Sequence, residues 1–298
     1  MDRPILLVDG GGLFVVSDTG GTAVSIHDDP EIDALFALWS PRGTHVLMWA
    51  RANDGSRDFH VLETNGENRV QVSDAPLDAD GFPAWSPDGS RLAFRNDAMD
   101  LFVVSRDGSG QTELTPGDLT GTNPHWSPDG EWIAYQGSDA SATGIFRVRP
   151  DGSDRTLLRA LPWEDDRMPR YSPDGTRIAF SSDMELYVMD ADGANPVPLT
   201  ATPDEGDWYP RWSPDGRRLA FHSDGGTHWA VAVVDVSSGT VLDTFGHESL
   251  DALYPSWSPD GGRIAFQIQS SVAVGEVDGD GGWEAIASGR YPSWLPGG

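Results

Sequence analysis

Short runs of apolar residues recur along the whole chain, and each run is bounded by a turn that contains glycine or proline. Between residues 165 and 200, for example, the runs Arg177–Phe180 and Leu186–Met189 are followed by the turn Asp190–Gly193. Alternating runs bounded by Asp-Gly turns are typical of strands joined by hairpins. No segment shows the 3.6-residue period of a helix. The pattern therefore predicts an all-β protein.

A five-residue motif, Trp-Ser-Pro-Asp-Gly, recurs among these strands, and its aromatic residue is called the anchor below. Successive anchors are 46, 41, 45, 41, 45 and 37 residues apart. In the motif, Pro presets φ for a tight turn, Asp bonds its own backbone and Gly accepts the closing geometry. A period of about 40 residues made of short strands predicts the blades of a β-propeller. The anchors are Trp39, Trp85, Trp126, Tyr171, Trp212, Trp257 and, in a degenerate copy, Trp294.

The seven anchors predict seven four-stranded antiparallel blades in a single domain, residues 1–298. The last anchor has no strands after it, whereas three apolar runs precede the first anchor: 5–8, 13–16 and 22–26. We therefore expect a composite blade, with its inner strand from the C-terminus and three outer strands from the N-terminus, because this closes the ring. The alternative of six blades leaves both ends unexplained.

The repeat resembles the TolB-like propeller repeat, in which Pro-x-Trp-Ser-Pro-Asp-Gly precedes Ile-Ala-Phe, Leu-Tyr-Val-Met-Asp-Ala-Asp-Gly and Leu-Thr. Residues 165–200 match this wording closely, and the resemblance extends over the whole chain. It implies a propeller fold but no single activity. Similar repeats occur in TolB, which binds partner proteins, in the propellers of prolyl oligopeptidases, and in oligogalacturonate lyases.

Charge narrows the range of partners. The chain has 47 acidic and 20 basic residues, all of the latter Arg, and a formal net charge of −27. Such a field repels polyanions, so nucleic acid and anionic membranes are not expected as partners. The chain has no apolar stretch of membrane-spanning length and its N-terminal run is too short for a signal peptide. We expect a soluble monomer, either cytoplasmic, or periplasmic or secreted with its leader removed.

The sequence predicts no catalytic residues, no metal site and no cofactor. The chain lacks Cys and a Gly-x-Ser-x-Gly motif, so thiolate sites and that serine nucleophile are excluded. His247-Glu248 resembles part of a zinc motif without its second His. The lyase resemblance implies a His-based metal site, for which His125, His222 and His228 or His247 are the candidates. Separate surface or hydrogen-bonded His residues are the simpler interpretation.

One set of residues predicts a ligand site. The position before the anchor is His125, Arg170 and Arg211 in three consecutive repeats, and propeller symmetry would place these cations around the central channel. Arg can bind a carboxylate through two parallel bonds. Nearby segments add further candidates for the same opening, which are Trp163, Arg167, Asp207 and Trp208. The alternative is that Asp165, Asp166 or Asp207 pairs with the arginines as structural ion pairs.

Three functions follow from these observations. The first is a non-catalytic scaffold that binds a protein, a peptide or a small polar ligand at the channel mouth. The second is a carbohydrate-active propeller similar to oligogalacturonate lyase, and the third is a structural or designed repeat scaffold without a natural ligand. The first fits the absence of catalytic motifs best, so we expect binding rather than catalysis.

Overall fold

A computed structural model describes residues 3–73, 82–117, 119–160, 167–201, 206–224, 226–246, 249–279 and 281–297, without the side chain of Arg167. These residues form 28 β-strands. Over the same ranges, no helix is long and apolar enough to cross a membrane.

The strands are short, mostly of four to eight residues. In chain order they are β1 (Ile5–Asp9), β2 (Gly12–Val16), β3 (Val24–His27), β4 (Ile32–Trp39), β5 (His45–Ala52), β6 (Arg57–Glu63), β7 (Val70–Gln71), β8 (Ala84–Trp85), β9 (Arg91–Arg95), β10 (Leu101–Ser105), β11 (Thr112–Glu113), β12 (Thr120–Trp126), β13 (Ile133–Ser138), β14 (Thr143–Val148), β15 (Thr156–Ala160), β16 (Arg167–Tyr171), β17 (Arg177–Ser182), β18 (Glu185–Asp190), β19 (Val197–Pro198), β20 (Asp207–Trp212), β21 (Arg218–Asp224), β22 (Trp229–Asp235), β23 (Val241–Phe245), β24 (Ala252–Trp257), β25 (Arg263–Ile268), β26 (Ser271–Glu276), β27 (Trp283–Ser288) and β28 (Arg290–Trp294).

Within the described ranges the strands form seven four-stranded sheets, and six of the sheets take their strands in simple chain order. The fold is a seven-bladed β-propeller, which confirms the predicted class and excludes the six-bladed alternative. Each anchor lies on the first strand of its repeat, at one edge of the sheet. These anchor-bearing strands, called inner strands below, are β4, β8, β12, β16, β20, β24 and β28.

The seventh sheet is composite, as predicted. Its strand order is β28-β1-β2-β3, so a C-terminal strand pairs with three N-terminal strands. In the antiparallel pairing of β1 with β28, Ile5 lies opposite Trp294 and Leu6 opposite Ser293. The ladder continues past the strand end, where the N–H of Leu295 donates to the carbonyl of Pro4 at 3.0 Å.

The chain divides into two compact units. Unit 1 comprises Met1–Gln71 and Arg211–Gly298, and unit 2 comprises Val72–Pro210. Unit 2 contains three complete sheets, β8–β11, β12–β15 and β16–β19, and the unit boundary falls within β20. The single domain expected over residues 1–298 stays a prediction.

The second strand of the repeat supplies the core. In five repeats its Leu/Ile-Ala-Phe/Tyr triplet is buried at all three positions, so apolar side chains leave both faces of the sheet. The alanine allows close packing on one face, while the aromatic ring fills the other. This full burial explains why the triplet is a continuous apolar run rather than an alternating one. The triplets begin at Leu92, Ile133, Ile178, Leu219 and Ile264.

The turn after the anchor is held by a Ser-Asp pair. In the second repeat the hydroxyl of Ser86 donates to Asp88 at 2.6 Å and also accepts the N–H of Arg91 at 2.9 Å. The bond from Ser86 lowers the pKa of Asp88 to about 2. The equivalent serine bonds likewise lower the pKa of Asp174 and of Asp260. Ionised carboxylates therefore stabilise the folded turns.

These turns predict acid sensitivity. Because the folded pKa of each Asp lies below its unfolded value of about 3.9, the stabilisation is complete above that pH and is lost as the pH falls toward 2. We expect the free energy of unfolding, measured with denaturant between about pH 5 and pH 2, to fall across this window. The triple variant Asp88→Asn, Asp174→Asn, Asp260→Asn should show a flatter dependence. An unchanged slope would contradict this role of the turns.

Most anchors are buried, as expected for rings between blades. Trp39, Trp85, Trp126, Tyr171 and Trp294 are buried. Trp212 and Trp257 are only half-buried. The indole N–H of Trp257 donates to the carbonyl of Arg211 at 2.9 Å, and that of Trp126 to the carbonyl of Ala84 at 3.2 Å. In both pairs the acceptor directly precedes the anchor of the preceding blade, so the indole links two blades.

Candidate functional site

The position before the anchor faces the inner strand of the next blade. The Nδ1 atom of His125 accepts the N–H of Tyr171 at 3.1 Å. In unit 1 the hydroxyl of Ser256 accepts the N–H of Trp294 at 2.9 Å, and that of Ser293 accepts the N–H of Trp39 at 3.5 Å. Side chains at this position therefore link consecutive inner strands. His125 performs this role with an unprotonated Nδ1.

The two arginines predicted to bind a ligand, Arg170 and Arg211, lie in different surroundings. Arg170, in unit 2, is 3% exposed, and its Nη1 donates to the carbonyl of Pro169 at 3.1 Å. Arg211, in unit 1, is half-buried. A ligand role for His125, Arg170 and Arg211 stays a prediction, and the burial of Arg170 requires that any ligand reach it below the surface.

The other residues predicted for the ligand site lie at the start of β20, on β16, and outside the described residues. Asp207 is fully buried at the start of β20, where its N–H donates to the carbonyl of Met184 at 2.7 Å, and Trp208 beside it is half-buried. Arg167 pairs with Ser181 in the ladder between β16 and β17. Trp163, with Asp165 and Asp166, lies outside the described residues. Their part in a ligand site therefore stays a prediction.

A bulge recurs on the inner strands, three residues before the anchor. The residue there has a left-handed backbone in five blades, with φ values between 52° and 60°, and a proline follows it. The ladder registers shift at the same point, for example between Thr122 and His125. Left-handed φ costs a non-glycine residue about 1–2 kcal/mol. Bulges of this kind re-aim a side chain. The five residues are Asn123, Met168, Tyr209, Tyr254 and Tyr291.

In unit 1 the residues three before the anchor form a row of aromatic side chains. The ring centroids of Tyr254 and Tyr291 are 4.7 Å apart, and those of Tyr291 and Phe36 are 5.6 Å apart. The three residues, called the aromatic row below, lie on the adjacent inner strands β24, β28 and β4. Each is half-buried, so part of every residue reaches solvent.

Polar side chains of the preceding blades fix the backbone of this row. The Nε2 atom of His222 accepts the N–H of Tyr254 at 2.6 Å, and Oε1 of Gln267 accepts the N–H of Tyr291 at 3.3 Å. Burial and then the charge of Arg211 lower the pKa of His222 to about 3, so this imidazole is neutral at neutral pH. A neutral ring can keep accepting the bond. These bonds thus hold the backbone of Tyr254 and Tyr291 in place.

Sequence reasoning overlooked the aromatic row. The signal was present, because Tyr-Pro precedes the anchor by three residues at Tyr209, Tyr254 and Tyr291. In unit 2, Tyr209 meets Phe82 edge to face, with ring centroids 5.6 Å apart. The aromatic residues at this position therefore meet in both units.

Among the described residues, the histidines that the lyase resemblance offers as candidate ligands do not form a metal site. His222 is buried, and Nδ1 of His228 lies 3.4 Å from Asp251. His247 falls outside the described ranges. Within those ranges no three His, Asp or Glu side chains are grouped so that they could hold a metal ion. The residues present there do not fit the site that the lyase resemblance implies.

Seven blades with this repeat place the chain in a known class of propellers. The model of the TolB β-propeller domain matches residues 13–182 and 164–298. The chain belongs to this family, which confirms the resemblance seen in its repeats. The family fixes the architecture and leaves the specific function open.

Individual curated proteins match only part of this chain. An uncharacterized protein of Agrobacterium fabrum is 30% identical over 188 residues, which are 58% of this chain and 63% of that protein. In three further curated relatives, the match covers only 12%, 16% and 23% of the relative's own length.

Solved structures share the fold at low identity. TolB from Acinetobacter baumannii has a TM-score of 0.62 and 18% identity, covering 98% of this chain and 82% of that one. The oligogalacturonate lyase from Vibrio parahaemolyticus has a TM-score of 0.69 and 12% identity, covering 97% and 85%. TolB and a lyase thus share this architecture, so the fold alone does not choose between them.

Proposed function

We propose that this chain is a non-catalytic binding propeller that engages a peptide segment of a protein partner through the aromatic row. The observation that carries the proposal is the recurrent left-handed bulge that includes Tyr254 and Tyr291. Backbone strain of this kind persists only where the surrounding structure enforces it, and strained residues cluster at ligand-binding and active sites. A buried packing role alone would not require half-exposed tyrosines.

The chemistry of the row suits a peptide. Tyrosine offers a large rigid surface with a polar tip and loses little conformational entropy on binding. Three rings on three adjacent strands present a continuous surface, on which successive side chains of an extended segment would lie. The net charge of −27 disfavours polyanionic partners and raises the encounter rate of basic ones.

Selection of peptides tests this proposal. Random linear peptides displayed on phage would be selected on the immobilised protein, and the enriched sequences synthesised for fluorescence anisotropy. We expect the double variant Tyr254→Ala, Tyr291→Ala to weaken binding about tenfold or more, because tyrosines at interface centres carry much of the affinity. Tyr187→Ala on β18, also half-buried, is the matched control and should bind as the parent does.

Melting temperatures of the variants separate binding from folding. Tyr254→Phe and Tyr291→Phe keep the rings but remove the hydroxyl groups. These variants replace the alanine variants in the binding measurement if alanine destabilises the fold. Enrichment of peptides that bind the parent and the double alanine variant equally, with both proteins folded, would overturn the proposal.

A further inference from the structure

The aromatic row has an indole beyond its Tyr254 end. The ring centroid of His222 lies 5.4 Å from that of Tyr254 and 6.4 Å from that of Trp229, and both contacts are edge to face. Trp229 is the first residue of β22, a strand that contacts β24, and it is half-buried. The three residues all belong to unit 1. Trp229 therefore marks one end of the row.

Two carboxylates lie beside Trp229. Oδ1 of Asp251 accepts the backbone N–H of Trp229 at 2.9 Å, and Asp224 lies directly opposite Trp229 in the antiparallel pairing of β21 with β22. Oδ1 of Asp224 accepts the N–H of Gly226 at 2.9 Å, and Nδ1 of His228 lies 3.4 Å from Oδ1 of Asp251. Among the described residues, Oδ2 of neither carboxylate takes part in a hydrogen bond or an ion pair. Each carboxylate therefore keeps one oxygen for a further partner.

Elsewhere the chain places its own arginines on tryptophan rings. Guanidinium groups lie between 4.3 and 5.8 Å from the ring centroids of four tryptophans, which are Trp49, Trp126, Trp132 and Trp294. Within the described structure, Trp229 has no guanidinium at such a distance, and it has the two carboxylates beside it instead. The face of an indole attracts cations more strongly than the other aromatic side chains do. Trp229 thus has surroundings that suit a cation which the described chain does not supply.

We propose that Trp229, Asp224 and Asp251 form a site for an arginine side chain of the peptide that lies on the aromatic row. The guanidinium stacks on the indole, and its N–H groups donate to the remaining carboxylate oxygens. Arginine suits the site better than lysine, because its planar group both stacks on aromatic rings and donates to carboxylates in a fixed fork. The net charge of −27 also favours a cationic ligand. This inference rests on the proposed function, because it names a residue that the bound peptide would carry.

Three small probes test the chemistry. They are capped tripeptides, acetyl-Ala-X-Ala-amide, in which X is arginine, lysine or citrulline, the neutral isostere of arginine. Each is titrated at constant ionic strength while the chemical shifts of the backbone amides and of the indole N–H groups are followed. We expect saturable binding of the arginine peptide that shifts the indole N–H of Trp229. The citrulline peptide should bind about tenfold more weakly, and the lysine peptide should also bind more weakly than the arginine peptide.

Substitution of the carboxylates supplies a matched set of variants. Asp224→Asn and Asp251→Asn remove the charges but keep a carbonyl oxygen for the two backbone N–H groups, so the fold should be retained. Asp54→Asn makes the same change in the hairpin between β5 and β6, where Oδ1 accepts the N–H of Ser56 at 2.9 Å. We expect the double variant Asp224→Asn, Asp251→Asn to weaken the arginine peptide about tenfold or more, and Asp54→Asn to leave its binding unchanged. Trp229→Phe keeps an aromatic ring that attracts cations less strongly, and it should weaken binding severalfold.

The outcomes separate this site from the aromatic row. Equal affinity for the arginine and citrulline peptides, or equal binding by the double variant and by Asp54→Asn, would overturn the arginine site. A lysine peptide that binds as tightly as the arginine peptide would overturn the preference for a guanidinium. Phage-selected peptides without enrichment in arginine would overturn its part in peptide binding. If those peptides still depend on Tyr254 and Tyr291, the proposed function stands in each of these cases.

Discussion

Deletion of residues 289–298 is expected to abolish the stable fold. It removes β28, so that β1 becomes the open edge of its sheet, with Ile5, Leu6 and Leu7 all buried in the intact protein. Loss of the buried Trp294 alone would cost about 3–5 kcal/mol, against a total stability of about 5–15 kcal/mol for a typical protein. An apolar strand edge of this kind also pairs with other chains. Size-exclusion chromatography and thermal melting would detect the aggregation.

A shorter deletion is the control for this result. Removal of residues 296–298 leaves β28 in place together with the bond from Leu295 to Pro4. This protein should melt close to the parent. If the longer deletion also melts like the parent, the C-terminal strand contributes nothing to closure of the composite blade.

Trp126→Ala is expected to lower the free energy of unfolding by about 3–5 kcal/mol. The ring is buried in a cluster with Leu101, Ile133 and Phe146, so its removal leaves a cavity. The change also breaks the bond to the carbonyl of Ala84 and the contact with the Arg91 guanidinium, which lies 4.8 Å from the ring centroid. Denaturant titration followed by circular dichroism measures the loss.

Trp132→Ala is the matched control. This indole is half-buried, in contact with the guanidinium groups of Arg147 and Arg149 at 4.3 and 4.4 Å from its centroid. Its removal should cost roughly 1–2 kcal/mol, because less area is lost and no cavity forms. Equal losses for the two variants would show that the anchor makes no special contribution between the blades.

The sequence alone determined the repeat, the strand order and the number of blades. These features depend on short-range chemistry. The turn at Ser86–Asp88 closes on its own hydroxyl and carboxylate, and the run that starts at Leu92 is apolar because both its faces are covered. Counting anchors against strands also predicted the composite blade, since no other partner for β28 remained.

Only the tertiary structure decided how the side chains of the inner strands are placed. Sequence reasoning counted back from the anchor and selected His125 and Arg170, because propeller symmetry would place this position around the central channel. Three residues before the anchor a bulge shifts the ladder register, and nothing in the local sequence states which way the side chain at the bulge points. The structure sets His125 against Tyr171 and buries Arg170, while it exposes part of Tyr254 and Tyr291. The pairing of strands, which alone fixes the bulge, is a property of the folded sheet and not of any one repeat.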